Sequence, residues 1–279
     1  KPNFEGHVQP NTPRELGYYD LTNTEIIREQ AEIAKLYGIS GFCFYHYWFS
    51  GRRILEAPLN NFLSSDIDIK FCLCWANENW TRTWDGSESS ILLKQDYNED
   101  EEKALIADWA RHFQDQRYYR IDERPLFVIY NPKLVPDSQK TIARWRRILQ
   151  IDHDMNPLMF MAQTFGMRDP SDFGLDGAIE FPPHKLSDTL PGRPTPDAYS
   201  PNFAGRVIEY GDFVKVSLAA EAHAYPLIQT VVPSWDNEAR RPNRGLSLEQ
   251  STPQKYAMRL SGLIQRALSA PPDGGGTGR

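Results

Sequence analysis

From Phe71 the chain reads Phe71-Cys-Leu-Cys-Trp-Ala-Asn-Glu-Asn-Trp80 and then Thr-Arg-Thr-Trp-Asp-Gly86, an apolar run that breaks into indoles, amides, carboxylates and a guanidinium. A short apolar segment ending in polar groups suits a buried strand that delivers side chains to the C-terminal edge of an α/β sheet. The mixture points to sugar. Indole faces such as those of Trp75, Trp80 and Trp84 cover the apolar C–H faces of pyranose rings, while Asn77, Glu78, Asn79, Arg82 and Asp85 pair with hydroxyls. A Trp-rich core capped by a turn would have to bury three indoles within ten residues and still satisfy every polar neighbour.

The same pattern recurs along the chain. Strand-like runs end in His46-Tyr-Trp48, Tyr130-Asn131, Gln163, Glu180 with His184 soon after, and Trp235-Asp-Asn237. Glu78 is the leading carboxylate, and Arg82 nearby favours its ionised form, which suits a hydroxyl acceptor or electrostatic stabiliser better than a general acid. Glu180 divides evenly between a second catalytic carboxylate and a salt-bridged rim residue. Asp236 either contacts substrate or pairs with Arg240 and Arg241. His46 is either a core histidine or a ligand contact, whereas His7, His112, His153 and His223 read as ordinary, and Trp109 and Trp145 as packing residues. Cys72 and Cys74 share a strand face, yet no nearby His or third Cys completes a zinc site, and no motif calls for a cofactor or metal.

Alternating elements must position these groups. Thr22-Asn-Thr-Glu25 fits a capping box, followed by Ile27, Ala31, Ala34 and Tyr37 on one helical face and Gly38 at its end. A strand from Ile39 to Tyr47 is apolar and aromatic throughout, as expected when both faces are covered. A weak helix (Leu55 to Leu63) and a strand (Ile69 to Trp75) follow, then a helix opened by Asn98 with Leu105, Trp109 and Phe113 as its stripe. Next come a strand (Pro125 to Asn131), a helix from Asp137 to Leu149, and strands at Leu158 to Gln163, Gly177 to Phe181 and Leu227 to Val232. Pro182 to Gly205 reads as a long functional loop, and Thr252-Pro253 starts the last helix. Six strand-then-helix units imply a parallel sheet, and function spread over every strand end favours a (β/α)8 barrel over a doubly wound sheet with one switch point.

With 279 residues, 40% of them hydrophobic, the chain suits one domain over residues 1–270, followed by a flexible Gly-rich tail at 271–279. A net charge of −6 argues against a nucleic-acid partner, and no apolar run is long enough for a membrane span. Three cysteines, Cys43, Cys72 and Cys74, in predicted strands point to buried thiols in a reducing, cytoplasmic setting.

Several blocks resemble the WbsX family of polysaccharide and lipopolysaccharide biosynthesis loci, described as glycosyltransferase or glycoside-hydrolase family 99-like. They are Gly6-His-Val-Gln-Pro10, Leu16-Gly-Tyr-Tyr-Asp20, Gly41-Phe-Cys-Phe-Tyr-His-Tyr-Trp-Phe49, Cys72 through Arg82, Trp84-Asp-Gly86 and Pro233-Ser-Trp-Asp-Asn237. The resemblance, from Gly6 to about Leu268, implies a (β/α)8 barrel acting on oligosaccharide or polysaccharide without a cofactor. Family members also carry a first strand like Phe-Tyr-Leu-Pro-Gln-Phe-His and a last strand leading to Asn-Glu-Trp-x-Glu-Gly, where the related endo-α-mannosidases keep their catalytic carboxylates. Neither motif occurs here, so the expectation is a truncated barrel lacking its first and last strands, with the family's catalytic pair beyond Arg279. Three functions stay open: a retaining glycosidase or transglycosylase, a glycosyltransferase of polysaccharide assembly, and a non-catalytic sugar-binding fragment.

Overall fold

Asn23, in extended backbone, caps helix α1 (Thr24–Leu36) by accepting from the Glu25 N–H, while the Thr22 hydroxyl turns back to Asp20. The cap therefore sits one residue beyond the one expected. Ile27, Ala31 and Ala34 form the buried stripe, whereas Tyr37 lies past the helix end and is exposed. Gly38, at φ +78°, reverses the chain into β1 (Gly41–Phe49). A Cβ on Gly41 would stand 2.9 Å from the Lys70 carbonyl oxygen, so glycine permits the close approach of the neighbouring strand.

The computed structural model describes residues 2–82, 87–163, 169–193, 198–221 and 223–269. They divide into two compact units, one made of Arg14–Ala162 with Met167–Ala178, the other of Lys1–Pro13, Gln163–Gly166 and Ile179–Arg279. In the first unit, β1 and α1 are followed by β2 (Arg52–Ile54), α2 (Ala57–Leu63), β3 (Lys70–Trp75), β4 (Trp80–Arg82), β5 (Ser87–Leu93), α3 (Glu99–Phe113), β6 (Arg120–Ile121), β7 (Arg124–Ile129), α4 (Ser138–His153) and β8 (Leu158–Gln163). β1, β3, β7 and β8 pair in parallel in that order, and β2 and β6 add antiparallel returns. β4 and β5 form a separate hairpin.

Register decides which side chains meet. Cys43 stands opposite Cys72 and Tyr45 opposite Cys74 on one face, and Phe44 opposite Leu73 and His46 opposite Trp75 on the other. The second face takes the helices: Phe44 meets Phe62 of α2 at 5.4 Å, and Trp75 meets Trp109 of α3 and Trp145 of α4 edge-to-face at 5.4 and 5.6 Å. Each such aromatic pair adds about 0.5–1.5 kcal/mol beyond area burial. The first face of β1 is not covered as expected, since Cys43 and Tyr45 are exposed.

In the second unit, β9 (Gly177–Glu180), whose first half belongs to the first unit, precedes α5 (His184–Asp188), β10 (Arg206–Glu209), α6 (Tyr210–Ala219), β11 (Leu227–Ile228), β12 (Trp235–Asp236), β13 (Leu246–Glu249) and α7 (Pro253–Ser269). A three-stranded sheet runs β10-β13-β12. Ile208, Tyr210, Phe213, Val214, Val232 and Leu248 form its core, with Trp235 packed against them. The strand expected to reach Val232 ends at Ile228, and Thr230 instead donates its N–H to the Glu180 carboxylate at 3.1 Å and its hydroxyl to the Glu180 carbonyl at 3.0 Å. The region read as a loop from Pro182 contains α5. Altogether the chain is a mixed α/β fold with a parallel sheet.

Candidate functional site

At the C-terminal ends of β1, β3 and β7, aromatic and amide groups gather within the first unit. Tyr47 and Phe49 meet the Trp80 ring edge-to-face at 5.3 and 5.6 Å, and Tyr45 stacks with Tyr47 at 6.0 Å and meets Tyr130 edge-on at 6.1 Å. Asn77 is fully buried and brackets the end of β7, donating to the Asn131 carbonyl and accepting from the Asn131 N–H, both at 2.8 Å. The Asn131 amide then points to the Glu78 carboxylate at 3.5 Å. Asn79 is spoken for as well, accepting the Gln95 N–H at 2.7 Å. Glu78 and Trp80 are half-buried. Together they present a carboxylate and an indole at one strand edge.

Beneath this edge lies a buried charged cluster that only His46 signalled in the sequence. His46 Nε2 meets Asp108 of α3 at 2.8 Å, Arg111 donates to the same carboxylate at 2.6 Å, Arg53 stands 3.9 Å from it, and His112 Nδ1 donates to the Asp108 carbonyl at 2.6 Å. Burial drives both imidazoles toward the neutral form, His112 to a pKa of about 4. Burial alone would raise the Asp108 pKa, but the hydrogen bond from His46 and the nearby Arg53 guanidinium hold it low. His46 is 2% exposed, so it fastens α3 to β1 and does not reach a ligand. Trp48 and Trp75 were expected at the sugar; both are buried, Trp75 at 1% exposure in the Trp109–Trp145 cluster, because their side chains fall on the helix-covered face. Trp109 and Trp145 pack as read.

In the second unit, Asp236 does not pair with Arg240 or Arg241. Its carboxylate accepts from His7 Nε2 at 3.0 Å, from the Gln9 amide, and from the Glu238 N–H at 2.9 Å. Burial opposes ionisation there, and these donors outweigh it and lower the pKa. His7 Nδ1 accepts from the Asn3 N–H at 3.0 Å, which fixes Nε2 as the donor to Asp236. Asn237 accepts the Leu246 N–H at 2.7 Å and shapes the turn. Trp235 lines a cavity of about 770 Å³ together with Glu5, His7, Arg193, Asp236 and Glu249. Arg193 forks onto Glu249 at 2.8 and 3.1 Å and lies over Phe4 at 5.5 Å.

Glu180 is salt-bridged, as one of its two readings has it. The carboxylate accepts from Arg259 Nη2 at 3.3 Å and from the Thr230 N–H, and the fully buried Arg259 also donates to the Ser217 hydroxyl at 2.9 Å and covers Phe213 at 4.9 Å. Gln163 closes β8, His184 opens α5 and Arg82 closes β4. Trp84 and Asp85 lie outside the described residues. Sequence reasoning read His7 as ordinary and passed over Asp108, Arg193 and Glu249. His7 and Asp236 are separated by 229 positions, so no local spacing links them. Among the described residues no cluster of three or more His, Cys, Asp or Glu side chains could hold a metal, and no helix is long and apolar enough to cross a membrane.

This α/β architecture is shared with solved glycoside-hydrolase-type structures. A glycoside hydrolase-like protein aligns over 94% of this chain and 80% of its own at TM-score 0.57 and 14% identity. The GH99 endo-alpha-mannosidase from Bacteroides thetaiotaomicron aligns over 93% and 68% at TM-score 0.51 and 13% identity. At such identities the likeness is one of fold. Residues 1–274 match the family model described as glycosyltransferase WbsX, and the chain belongs to that family. The uncharacterized protein WxcX from Xanthomonas campestris pv. campestris (strain ATCC 33913) is 37% identical over 273 residues, covering 97% of this chain and 39% of that protein, and its strain B100 counterpart matches to the same extent. The chain thus spans about two fifths of the length of the curated relatives it matches.

Proposed function

We propose that this chain is a carbohydrate-active domain working on glycosidic bonds of oligosaccharide or polysaccharide in surface-polysaccharide or lipopolysaccharide metabolism, built on a (β/α)8 framework. The carrying observation is the strand-end group, in which Glu78 and Asn131 stand just past the parallel strands β3 and β7, braced by Asn77, with Trp80 opening the neighbouring β4 hairpin. Trp80 offers an apolar ring to a pyranose face, and Glu78 accepts hydroxyls or stabilises positive charge that develops at an anomeric carbon. Tyr47, Asn79 and Tyr130 flank the same edge. Retaining hydrolysis or transglycosylation is the reaction that fits a carboxylate beside an aromatic platform; the Arg259 contact leaves Glu180 a weaker candidate for a partner carboxylate. Transfer by a glycosyltransferase is the second reading, favoured by the description of the family.

Calorimetric titration with oligosaccharide tests the reading. Trp80→Ala should weaken binding by about 1–3 kcal/mol if the indole is a stacking platform. Unchanged affinity in a folded variant would assign Trp80 to packing. Release of reducing sugar from α-mannosides and surface polysaccharide, set against titration with sugar nucleotides, separates hydrolysis from transfer.

A further inference from the structure

Within the second unit, the segment from Glu5 to Val8, β12 and the end of β13 surround the cavity of about 770 Å³, inside the range of roughly 300–1,000 Å³ that small ligands occupy. Trp235 gives it an aromatic wall whose indole is braced by the hydrophobic core behind. The charges around it are uneven. Glu5, Asp236 and Glu249 bring three carboxylates and Arg193 one guanidinium, and that guanidinium already forks onto both oxygens of Glu249. His7 donates from Nε2 and accepts at Nδ1, an arrangement of the neutral imidazole. An incoming anion would have to displace Glu249 from Arg193 and lie near two further carboxylates, whereas hydroxyl or ammonium donors meet a lining rich in carboxylates. Past β13, Gln250 sits in a left-handed conformation at φ +55°, and Gln250 and Ser251 line the same cavity.

We infer that this cavity is a glycan subsite for a sugar unit without negative charge, neutral or amino-bearing, and that it discriminates against uronic acids and sugar phosphates. The inference rests on the carbohydrate reading above and assigns the substrate class from the charge of the lining.

Titration of the full chain with mannotriose, the trimer of glucosamine and trigalacturonate tests it. The first two bind, and trigalacturonate binds at least about tenfold more weakly, a gap of about 1.4 kcal/mol. Glu5→Lys and Glu249→Gln narrow that gap; Glu5 is exposed, so its substitution spares the fold. Trp235→Ala lowers affinity for both preferred trimers, with Trp235→Phe, which keeps an aromatic wall, retaining most of it. Equal binding of trigalacturonate and mannotriose, or a ratio unmoved by the two charge variants, overturns the inference. Loss of binding in Trp80→Ala with no effect of any cavity variant overturns the cavity subsite and leaves the carbohydrate reading standing. Absence of binding by all three trimers overturns both.

Discussion

Acidification should unfold this protein through the cluster beneath the strand ends. His112 is 1% exposed and is held neutral, its pKa moved from 6.5 to about 4 chiefly by burial, and His46 is lowered for the same reason. In the unfolded chain both return to ordinary values, so between about pH 6.5 and pH 4 the unfolded state binds protons that the folded state refuses. Stability from these groups is complete above the unfolded pKa and is lost as pH falls. For His112 the gap of about 2.5 pH units from 6.5 to about 4 corresponds to about 3 kcal/mol, and each neutral-buried imidazole contributes a slope of about 1.4 kcal/mol per pH unit. Asp108, whose pKa is also lowered, adds a loss at more acid pH. Urea unfolding monitored by tryptophan fluorescence at pH 7, 6, 5 and 4.5 measures the slope, and His112→Gln should flatten it. A free energy of unfolding constant from pH 7 to pH 5, or a slope that survives both His112→Gln and His46→Gln, would refute the neutral-burial account.

Iodoacetamide at neutral pH should alkylate Cys43 well before Cys72 or Cys74, since hydrogen bonds from those two thiols lower the exposed Cys43 thiol while burial and the same bonds raise its neighbours; equal labelling by peptide mass spectrometry would contradict this. Glu180→Ala should cost about 3–5 kcal/mol by leaving a buried cation unpaired, with Arg259→Met costing less; a Glu180→Gln variant of full stability and no glycosidase activity would instead make Glu180 catalytic. Arg117 donates to the carbonyls of Phe62, Leu63, Ser65 and Ile67 and pairs with Asp115. Arg117→Ala should therefore cost about 2–4 kcal/mol in chemical denaturation, and Arg117→Lys should recover little because one ammonium cannot reach the same fork of acceptors.

The strands β1, β3, β7 and β8 were legible because parallel strands leave continuous apolar runs, and the polar residues just past them were legible because the change of character is abrupt. Which side of a strand faces the helices was not. Trp75 and Trp80 look alike in sequence, yet one packs on Trp109 and Trp145 and the other meets Tyr47 at the edge. Trp75 closes β3 on the helix-covered face, whereas Trp80 opens the separate β4 hairpin, and nothing local in the sequence marks that break. The second unit was harder to read, because β10, β12 and β13 are two to four residues long and draw their identity from pairing with one another. Asp236 seemed matched to nearby arginines, but Glu238, Gln9 and His7 take both of its oxygens, and only the folded chain brings the last two near.

The paired hydrogen bonds between Asn77 and Asn131 do more than join two strands. They make the backbone after β3 and the backbone after β7 a single rigid piece, so the residues carried on either side, Glu78 and Asn131, keep their separation whether or not anything is bound. The loss of freedom needed to assemble that edge is incurred once, during folding, and a ligand arriving later is spared it. Asn77→Asp would exchange a donor for a second acceptor facing the Asn131 carbonyl, and the edge would then have to be assembled afresh at every encounter.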